Sequence, residues 1–574
     1  MQADGLTYPA AGWGTAVPRA GRILIPLVLV MPVLAGVLAG VLGALLPAMG
    51  YFPALGGDML SWQPARDFLA TPGLRRAVGL TLFIGIGTTL LALVGAFSIL
   101  VTAIGTGWQV RWLRRVTSPM IAVPPSAVAI GILFLLAPSG WVVRLVSPWL
   151  TGLTQPAGFV LALDQNGMAL IFALLAKEIP FILLVSLAAL ATLPARQIIA
   201  TGTGLGYGRR AACLLLLLPA VYRRIRLPLV AVMIFSLSVV DMPRILGPSL
   251  PPPLAVLAVE AFENANLAQR FPAAFAACLQ IAVTILALVI WRAGEALASM
   301  LVRLTRRRGM RLRQTSRLLT PMAVLATLPV IAGFAGLVAA AIWSVAGSWF
   351  FPAPLPAAFT LRFWERAADL APMMTNSILI AAAASALAVT LTLFLITHGG
   401  RWRQLVYAPL LVPQVSFVLG VQMVLTMLWL DGSWLAMIWI HMLFILPFSW
   451  LILAPAAAAL DQRYLAVAAS LGATSWTRYW RISLPLLAPA ITTALFVGGS
   501  VSVALYLPSL FAGGGRISTI TLEAVALASG GSRQMAGVAA MLQLAVPLLM
   551  YVGLQSWYRW RYRGFAGMRA GGLH

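Results

Sequence analysis

The segment Ala466-Val-Ala-Ala-Ser-Leu-Gly472-Ala-Thr474, followed by Leu484-Pro485, has a counterpart earlier in the chain. That counterpart reads Ala200-Thr-Gly-Thr-Gly-Leu-Gly206 and is followed by Leu218-Pro219. The two glycines lie 266 positions apart, and 13 positions separate the glycine from the proline in each copy. Both copies lie on polar loops between apolar runs of membrane length. The pattern therefore indicates a duplicated membrane protein that offers two matching loops to a partner present in two copies.

The composition excludes an ordinary soluble protein, because 61% of the 574 residues are hydrophobic and 9% are charged. A membrane-spanning helix needs about 20 mostly apolar residues. The sequence predicts an all-α membrane protein with about 12 transmembrane helices. The candidate spans are residues 23–46, 78–101, 117–137, 168–190, 227–240, 271–290, 321–345, 373–397, 406–429, 436–459, 489–506 and 535–557.

The net charge is +25, and the positions of the basic residues indicate how the chain is oriented in the membrane. With both termini placed in the cytosol, 28 arginines fall inside, ten fall outside, and Lys177 lies within the fourth span. This excess of inside arginines satisfies the positive-inside rule. The basic residues are suited to contact with anionic lipid headgroups of the bilayer. We therefore expect no nucleic-acid partner.

The spans divide into two sets of six around a basic stretch, residues 292–319, which we interpret as a cytosolic linker. The first predicted domain covers residues 23–291 with its loop at 194–226, and the second covers 320–557 with its loop at 460–488. Segments 1–22 and 558–574 are predicted cytosolic termini. An even number of spans per domain gives both domains the same orientation, so we predict a parallel repeat.

The single lysine excludes one route to ATP hydrolysis. A P-loop requires a lysine after its glycines to reach the β- and γ-phosphates, and no glycine-rich loop precedes Lys177. The glycines at 202–208 follow an apolar helix instead of a strand. Cys213 and Cys278 indicate neither a disulfide framework nor a metal site. We expect a chain that is not an enzyme by itself and binds no metal or cofactor.

Residues 461–489 resemble the EAA loop of binding-protein-dependent ABC permeases, in which an acid and two alanines precede a glycine and a Leu-Pro pair. The resemblance implies two tandem six-helix type I ABC permease domains. It also implies a short coupling helix in each loop that inserts into a groove on an ATPase subunit. The implied coupling residues are Ala200, Thr201, Gly202, Gly206, Pro219, Ala466, Val467, Ala468, Gly472, Ala473 and Pro485. Small residues allow close packing, Gly472 allows a positive φ, and Pro485 marks the next helix.

Two departures from the family pattern affect these loops. Ala200 and Ala466 replace the opening acid, so any salt bridge from that acid to an ATPase is missing here. Thr201 and Gly202 replace the two alanines, and each glycine weakens a helix by about 1 kcal/mol. We therefore expect the first coupling helix to be irregular or to dock differently. Alternatively, both segments are plain cytosolic loops whose similarity only records duplication.

The resemblance implies the permease subunit of an ATP-driven importer in a bacterial inner membrane. Its implied partners are two copies of a cytosolic ATPase, which carry ATP-Mg, and a periplasmic solute-binding protein. Two permease domains on one chain resemble the importers of thiamine and ferric iron. Residues 504–531, together with Lys177-Glu-Ile-Pro180 and His441, are most similar to thiamine transport permeases. Thiamine is the first expectation, and ferric iron or another small solute is the alternative.

Five polar residues are candidates for the translocation path. Lys177 and Glu178 lie inside the fourth span, where each charge costs about 2.5–3.5 kcal/mol, and they either line the path or form a structural pair. Asp241 could meet a cationic substrate or cap a turn. His441 could contact substrate or join two helices, and Glu523 precedes the last span.

The main rival function is a 12-helix secondary transporter driven by an ion gradient. Such a transporter is expected to carry a Gly-x-x-x-Asp-Arg-type turn between its second and third spans. The corresponding turn, residues 105–115, contains no acid. The sequence therefore favours the ATP-driven class.

Overall fold

The computed structural model describes residues 21–106, 113, 117, 119–156, 164–309, 315–398 and 405–563. These residues form helices and turns with no β-strand, which confirms the predicted all-α, multi-span membrane fold. Most of the turn at 105–115 lies outside the described residues. So do linker residues 310–314 and the terminal segments 1–20 and 564–574.

The chain up to residue 309 contains five long helices and several short ones. The α-helices are α1 Gly21–Ala48, α2 Gln63–Leu69, α3 Leu74–Thr106, α4 Pro125–Leu136, α5 Trp141–Val146, α6 Met168–Ala191, α7 Ala195–Gly204, α8 Arg209–Ala212, α9 Leu218–Ser238, α10 Asp241–Leu246, α11 Leu254–Phe262 and α12 Arg270–Arg307. Helix α12 continues well beyond the predicted sixth span, so the first part of the basic stretch at 292–319 is helical.

The described chain from residue 315 contains a second set of long and short helices. The α-helices are α13 Thr315–Ser344, α14 Arg362–Glu365, α15 Ala371–His398, α16 Ala408–Leu411, α17 Gln414–Met427, α18 Trp434–Ala458, α19 Gln462–Ser470, α20 Ser475–Arg478, α21 Leu484–Ala504, α22 Tyr506–Gly513, α23 Ile520–Ser529 and α24 Arg533–Arg561. Below, residues 21–309 and 315–563 are called the first and second halves.

Ten helices in the described part of the chain are long and apolar enough to cross a membrane. The predicted ninth span, 406–429, is not one straight helix, because α16 and α17 meet at a bend of 108°. Pro413 causes this break, since a proline lacks the N–H and holds the preceding residue in an extended conformation. The bent pair would make an eleventh span. The predicted third span, 117–137, is likewise interrupted before α4, at Pro124.

The predicted fifth span, 227–240, is the C-terminal part of the longer helix α9. Helix α9 begins at Leu218 and ends at Ser238, so it extends beyond the predicted span on the N-terminal side. It does not count among the ten apolar helices. Its N-terminal half carries the charged side chains of Arg223, Arg224 and Arg226, so only its C-terminal part is continuously apolar.

The first helix of each half packs against the interrupted helix of the other half. Helix α1 packs on α17, and α13 packs on α4. A Cβ atom on Gly131 would lie 2.5 Å from the backbone carbonyl carbon of Gly336, and a Cβ atom on Gly420 would collide with the backbone of Gly40. Glycine is therefore needed at these crossings, because small residues let helix backbones approach closely. The two halves are braced against each other through these contacts.

Arg144 makes another connection between the halves. Its Nε–H donates to the Ser139 carbonyl at 2.9 Å, and its Nη1 donates to the Phe350 carbonyl at 2.9 Å. The guanidinium also lies 5.0 Å from the centre of the Trp349 ring, a cation–π contact. Arg533 of the second half donates to the Ser139 hydroxyl at 2.7 Å. Buried Arg144 thus ties α5 to the loop that follows α13.

Candidate coupling loops and central polar site

The short helices α7 and α19, called the loop helices below, end in the same backbone motif. In the first, the Gly206 N–H donates to the Thr203 carbonyl at 3.0 Å and the Tyr207 N–H donates to the Gly202 carbonyl at 3.1 Å. Equivalent bonds in the second run from Gly472 to Ala469 and from Ala473 to Ala468, both at 3.0 Å. This pair of bonds defines a Schellman motif.

The glycine that closes each motif adopts the left-handed conformation. The φ angle is +84° at Gly206 and +81° at Gly472, so the positive φ expected at Gly472 is confirmed and occurs in both loops. Ala200, Thr201, Ala466 and Val467 are exposed on the loop helices, and Ala473 is half-buried. The geometry of both loops is therefore set by backbone requirements that the sequence pattern revealed.

The first loop helix is regular, and the expected irregularity is wrong. Residues Ala195–Gly204 form an uninterrupted α-helix despite its two glycines. Gly202 is buried, and a Cβ atom there would lie 2.7 Å from the Ala212 Cβ atom and 2.8 Å from Leu216 Cδ1. The glycine thus permits close packing of α7 on the following helix. Ala468 occupies the equivalent position in the second loop and is also buried.

The prolines stand at the start of α9 and α21 as predicted, but the helical path begins nine residues before those helices. It starts at Arg209 and Ser475 and passes through π-helical turns at Cys213–Leu217 and Tyr479–Ser483. A proline cannot donate an N–H to the preceding turn, and its ring clashes with the carbonyl four residues earlier. The wider π turn relieves this conflict.

The first loop is attached to helices α12 and α13 by arginine side chains. Arg210 Nη1 donates to Thr320 Oγ1 at 3.2 Å, and Arg306 donates to the carbonyl of Leu215. Arg226 of α9 forms an ion pair with Glu295 of α12. No local sequence pattern predicts these contacts, because the partners lie 69 to 110 positions apart.

Lys177 is bound by backbone carbonyls and not by an acid. Its Nζ donates to the carbonyls of Met120 at 2.9 Å, Ile121 at 3.2 Å and Val123. These carbonyls lie at the helix end that precedes Pro124, where intrahelical donors are missing. The ammonium group therefore supplies hydrogen-bond donors to the carbonyls left unpaired by the helix break before α4, which is a structural role.

Glu178 and Asp241 are buried near Lys177, and their carboxylates interact with it electrostatically. No hydrogen bond or ion pair joins the Glu178 carboxylate to another described residue. Asp241 lies in the first turn of α10, and its Oδ2 atom has no hydrogen-bond partner among the described residues. Two buried acids therefore share one lysine whose donors are already used. A buried acceptor without a partner is unfavourable.

The segments that follow α9 and α21 meet between the two halves. Arg244 of α10 donates to the Tyr506 hydroxyl of α22 at 2.7 Å and forms an ion pair with Glu263. Its guanidinium carbon lies 5.9 Å from the centre of the Tyr506 ring. Tyr506 occupies the position equivalent to Asp241 when Pro243 is matched to Pro508. No local sequence pattern predicts the contact between Arg244 and Tyr506, because the two residues lie 262 positions apart.

The other two candidate path residues lie in the second half. His441 is buried, with Nδ1 2.8 Å from Ser502 Oγ and Nε2 3.2 Å from Ser509 Oγ. Both ring nitrogens therefore join α18 to α21 and α22. Glu523 is half-buried in the first turn of α23. The structure brings Lys177, Glu178 and Asp241 together and places His441 in a separate cluster of hydroxyl groups.

A known protein is similar to this chain over most of its length. No protein-family model matches the chain. The chain is 29% identical over 510 residues to the inner membrane ABC transporter permease protein YnjC of Escherichia coli (strain K12), covering 87% of this chain and 90% of the relative. The chain is similar to an ABC permease. A match of this extent runs through both loops and supports a multi-pass membrane protein of the permease type.

Proposed function

We propose that this chain is the membrane-spanning permease subunit of a binding-protein-dependent, ATP-driven importer with both termini in the cytosol. The observation that carries the proposal is the pair of loop helices with identical Schellman ends, 266 positions apart, in a chain similar to an ABC permease. Two copies of a cytosolic ATPase would bind α7 and α19. A periplasmic binding protein would deliver the solute to the opposite face.

Each loop is continuous with a helix that leads to the centre of the molecule. The helical path from Arg209 reaches Ser238 and is followed directly by α10, which begins at Asp241. The path from Ser475 reaches Ala504 and is followed by α22, which begins at Tyr506. Movement of the loop helices with the ATPases would therefore be transmitted to the Arg244–Tyr506 contact. Alternating access requires that ATP change the relative stability of two arrangements of this contact.

For the solute, we propose a small cation, with thiamine as the first candidate and ferric iron as the alternative. Glu178 and the partnerless Oδ2 of Asp241 support this proposal, because buried carboxylates are stabilised by a positive charge. Lys177 would hold the adjoining helix break in place beside the path. His441 and Glu523 would flank the path from the second half, with His441 acting mainly through its two serine contacts.

The substrate proposal is tested by uptake into proteoliposomes that contain this chain with its ATPase and binding protein. Asp241→Asn should lower ATP-driven thiamine uptake by about tenfold or more, because a charge-assisted contact is lost. The matched control is Asp369→Asn, the same substitution at an exposed aspartate outside the proposed path. Equal uptake by wild type and Asp241→Asn would contradict a cation site at Asp241.

A further inference from the structure

The two loops expose different chemistry. In residues 195–217, all of which the structure describes, the exposed large apolar side chain is Leu205, at 63% exposure. Residues 460–485 expose five: Tyr464 at 61%, Val467 at 58%, Leu471 at 81%, Trp476 at 71% and Trp480 at 51%. Exposed apolar patches of this kind mark interaction surfaces on proteins.

The apolar side chains of the second loop are organised in two groups. Tyr464, Val467 and Leu471 follow a spacing of three and four residues, which places them on one face at the exposed side of α19. Trp476 and Trp480 are four residues apart, and their ring centres are 5.3 Å apart. We call these five side chains the apolar face of the second loop.

The equivalent positions of the first loop lack most of this face. A shift of 266 positions matches Leu471 to Leu205, so one exposed leucine is common to both loops. It matches Val467 to Thr201 and Trp476 to Arg210, which are polar. The counterparts of Tyr464 and Trp480 are Ile198 and Leu214, which are partly buried against the core. Arg210 is also used inside the chain, through its contact with Thr320.

We infer that the two ATPase copies bind unequally and that the apolar face of the second loop is the stronger binding site. This inference rests on the proposed function. The shared Schellman ends give both loops the same backbone geometry, and the shared leucine gives both the same first anchor. The additional apolar area at α19 and α20 then strengthens the second site, because binding free energy increases with buried apolar surface.

A protein partner suits this face better than the lipid surface does. In the first half, the loop helix exposes Arg196, Gln197, Thr201 and Thr203, so this level of the molecule lies in water. The second loop helix follows the same position in the order of helices and carries exposed Asp461, Gln462 and Arg463 beside Tyr464. The apolar face is therefore presented to water unless a subunit covers it.

The test uses two aspartate variants at equivalent positions, Leu471→Asp and Leu205→Asp, in the full chain held in lipid nanodiscs. Binding of the purified ATPase is measured by titration, and native mass spectrometry counts the bound copies. Leu471→Asp should weaken the first, tighter binding step by about tenfold or more. Leu205→Asp should leave that step within about twofold of wild type and weaken only the second. Both side chains are exposed, and a thermal unfolding curve for each variant checks that folding is unchanged.

Equal weakening by the two variants, or a larger effect of Leu205→Asp, would overturn the unequal binding and leave the proposed function intact. Absence of ATPase binding to the wild-type chain would overturn both proposals. The lipid alternative is tested by fluorescence of variants in which Trp476 or Trp480 is replaced by phenylalanine. The signal of each tryptophan is the difference between the wild type and the variant that lacks it. If brominated lipids quench Trp476 and Trp480 and bound ATPase does not reduce this quenching, the apolar face lies on the membrane surface and the inference is wrong.

Discussion

Glycine is required for different physical reasons at different positions of this chain, and the surroundings of each residue decide whether a requirement applies. Gly472 needs a positive φ, and a Cβ atom there would meet nothing within 4 Å. Gly131 needs close approach, because a side chain would overlap the backbone of Gly336. Gly553, in α24, has neither requirement. Identical residues therefore predict opposite effects of the same substitution.

Gly131→Ala is expected to destabilise the chain by about 1–3 kcal/mol, because the added methyl group forces α4 away from α13. Gly553→Ala is the matched control and should be neutral or stabilising by up to about 1 kcal/mol, since alanine favours helices and the space is open. Thermal unfolding in detergent measures both. An unchanged melting temperature for Gly131→Ala would contradict the close contact between the halves.

Lys177 provides a second prediction at the residue scale. Lys177→Met should destabilise the fold by about 1–3 kcal/mol, because three backbone carbonyls before Pro124 lose their donor. Lys177→Arg retains donors and should recover part of the loss. A Lys177→Met variant that unfolds like wild type but does not transport would show a role in the path and not in the helix break.

At the scale of the elements, the loop helices are the part that the sequence predicted best. The repeated Gly–Pro spacing located both loops, and the left-handed glycines follow from it. The low helix propensity of glycine led to the wrong expectation of an irregular helix at Gly202. The contact with Ala212 outweighs the intrinsic cost of glycine in a helix. Hydropathy failed at residues 406–429, because it reports apolar length but not the bend at Pro413. The Arg244–Tyr506 contact joins residues 262 positions apart and had no local signal.

Gly472→Val is expected to abolish transport and stimulated ATP hydrolysis. Valine disfavours the positive φ, so the Schellman end of α19 would be lost while the rest of the chain stays folded. Gly472→Asn is the control, because asparagine tolerates this conformation better and should retain much of the activity. ATPase stimulation by loaded binding protein gives the readout. Full stimulation with Gly472→Val would speak against the role of this loop in energy coupling.

On the scale of the whole molecule, the first helix of each half packs against the other half. Arg144 and Arg244 make further contacts between the halves. Such contacts resist separation of the halves, since helix backbones approach each other closely at the α1–α17 and α4–α13 crossings. The same frame would also serve an ion-driven carrier. The proposed function assigns the two loops to ATPase docking, which a secondary transporter would not need.

The most direct measurement is solute uptake by proteoliposomes prepared with and without the partner ATPase. We predict uptake only when this chain, the ATPase, the loaded binding protein and ATP are all present, and none when the chain alone is given a proton or sodium gradient. Uptake by the chain alone on an ion gradient would contradict the proposed ATP-driven import.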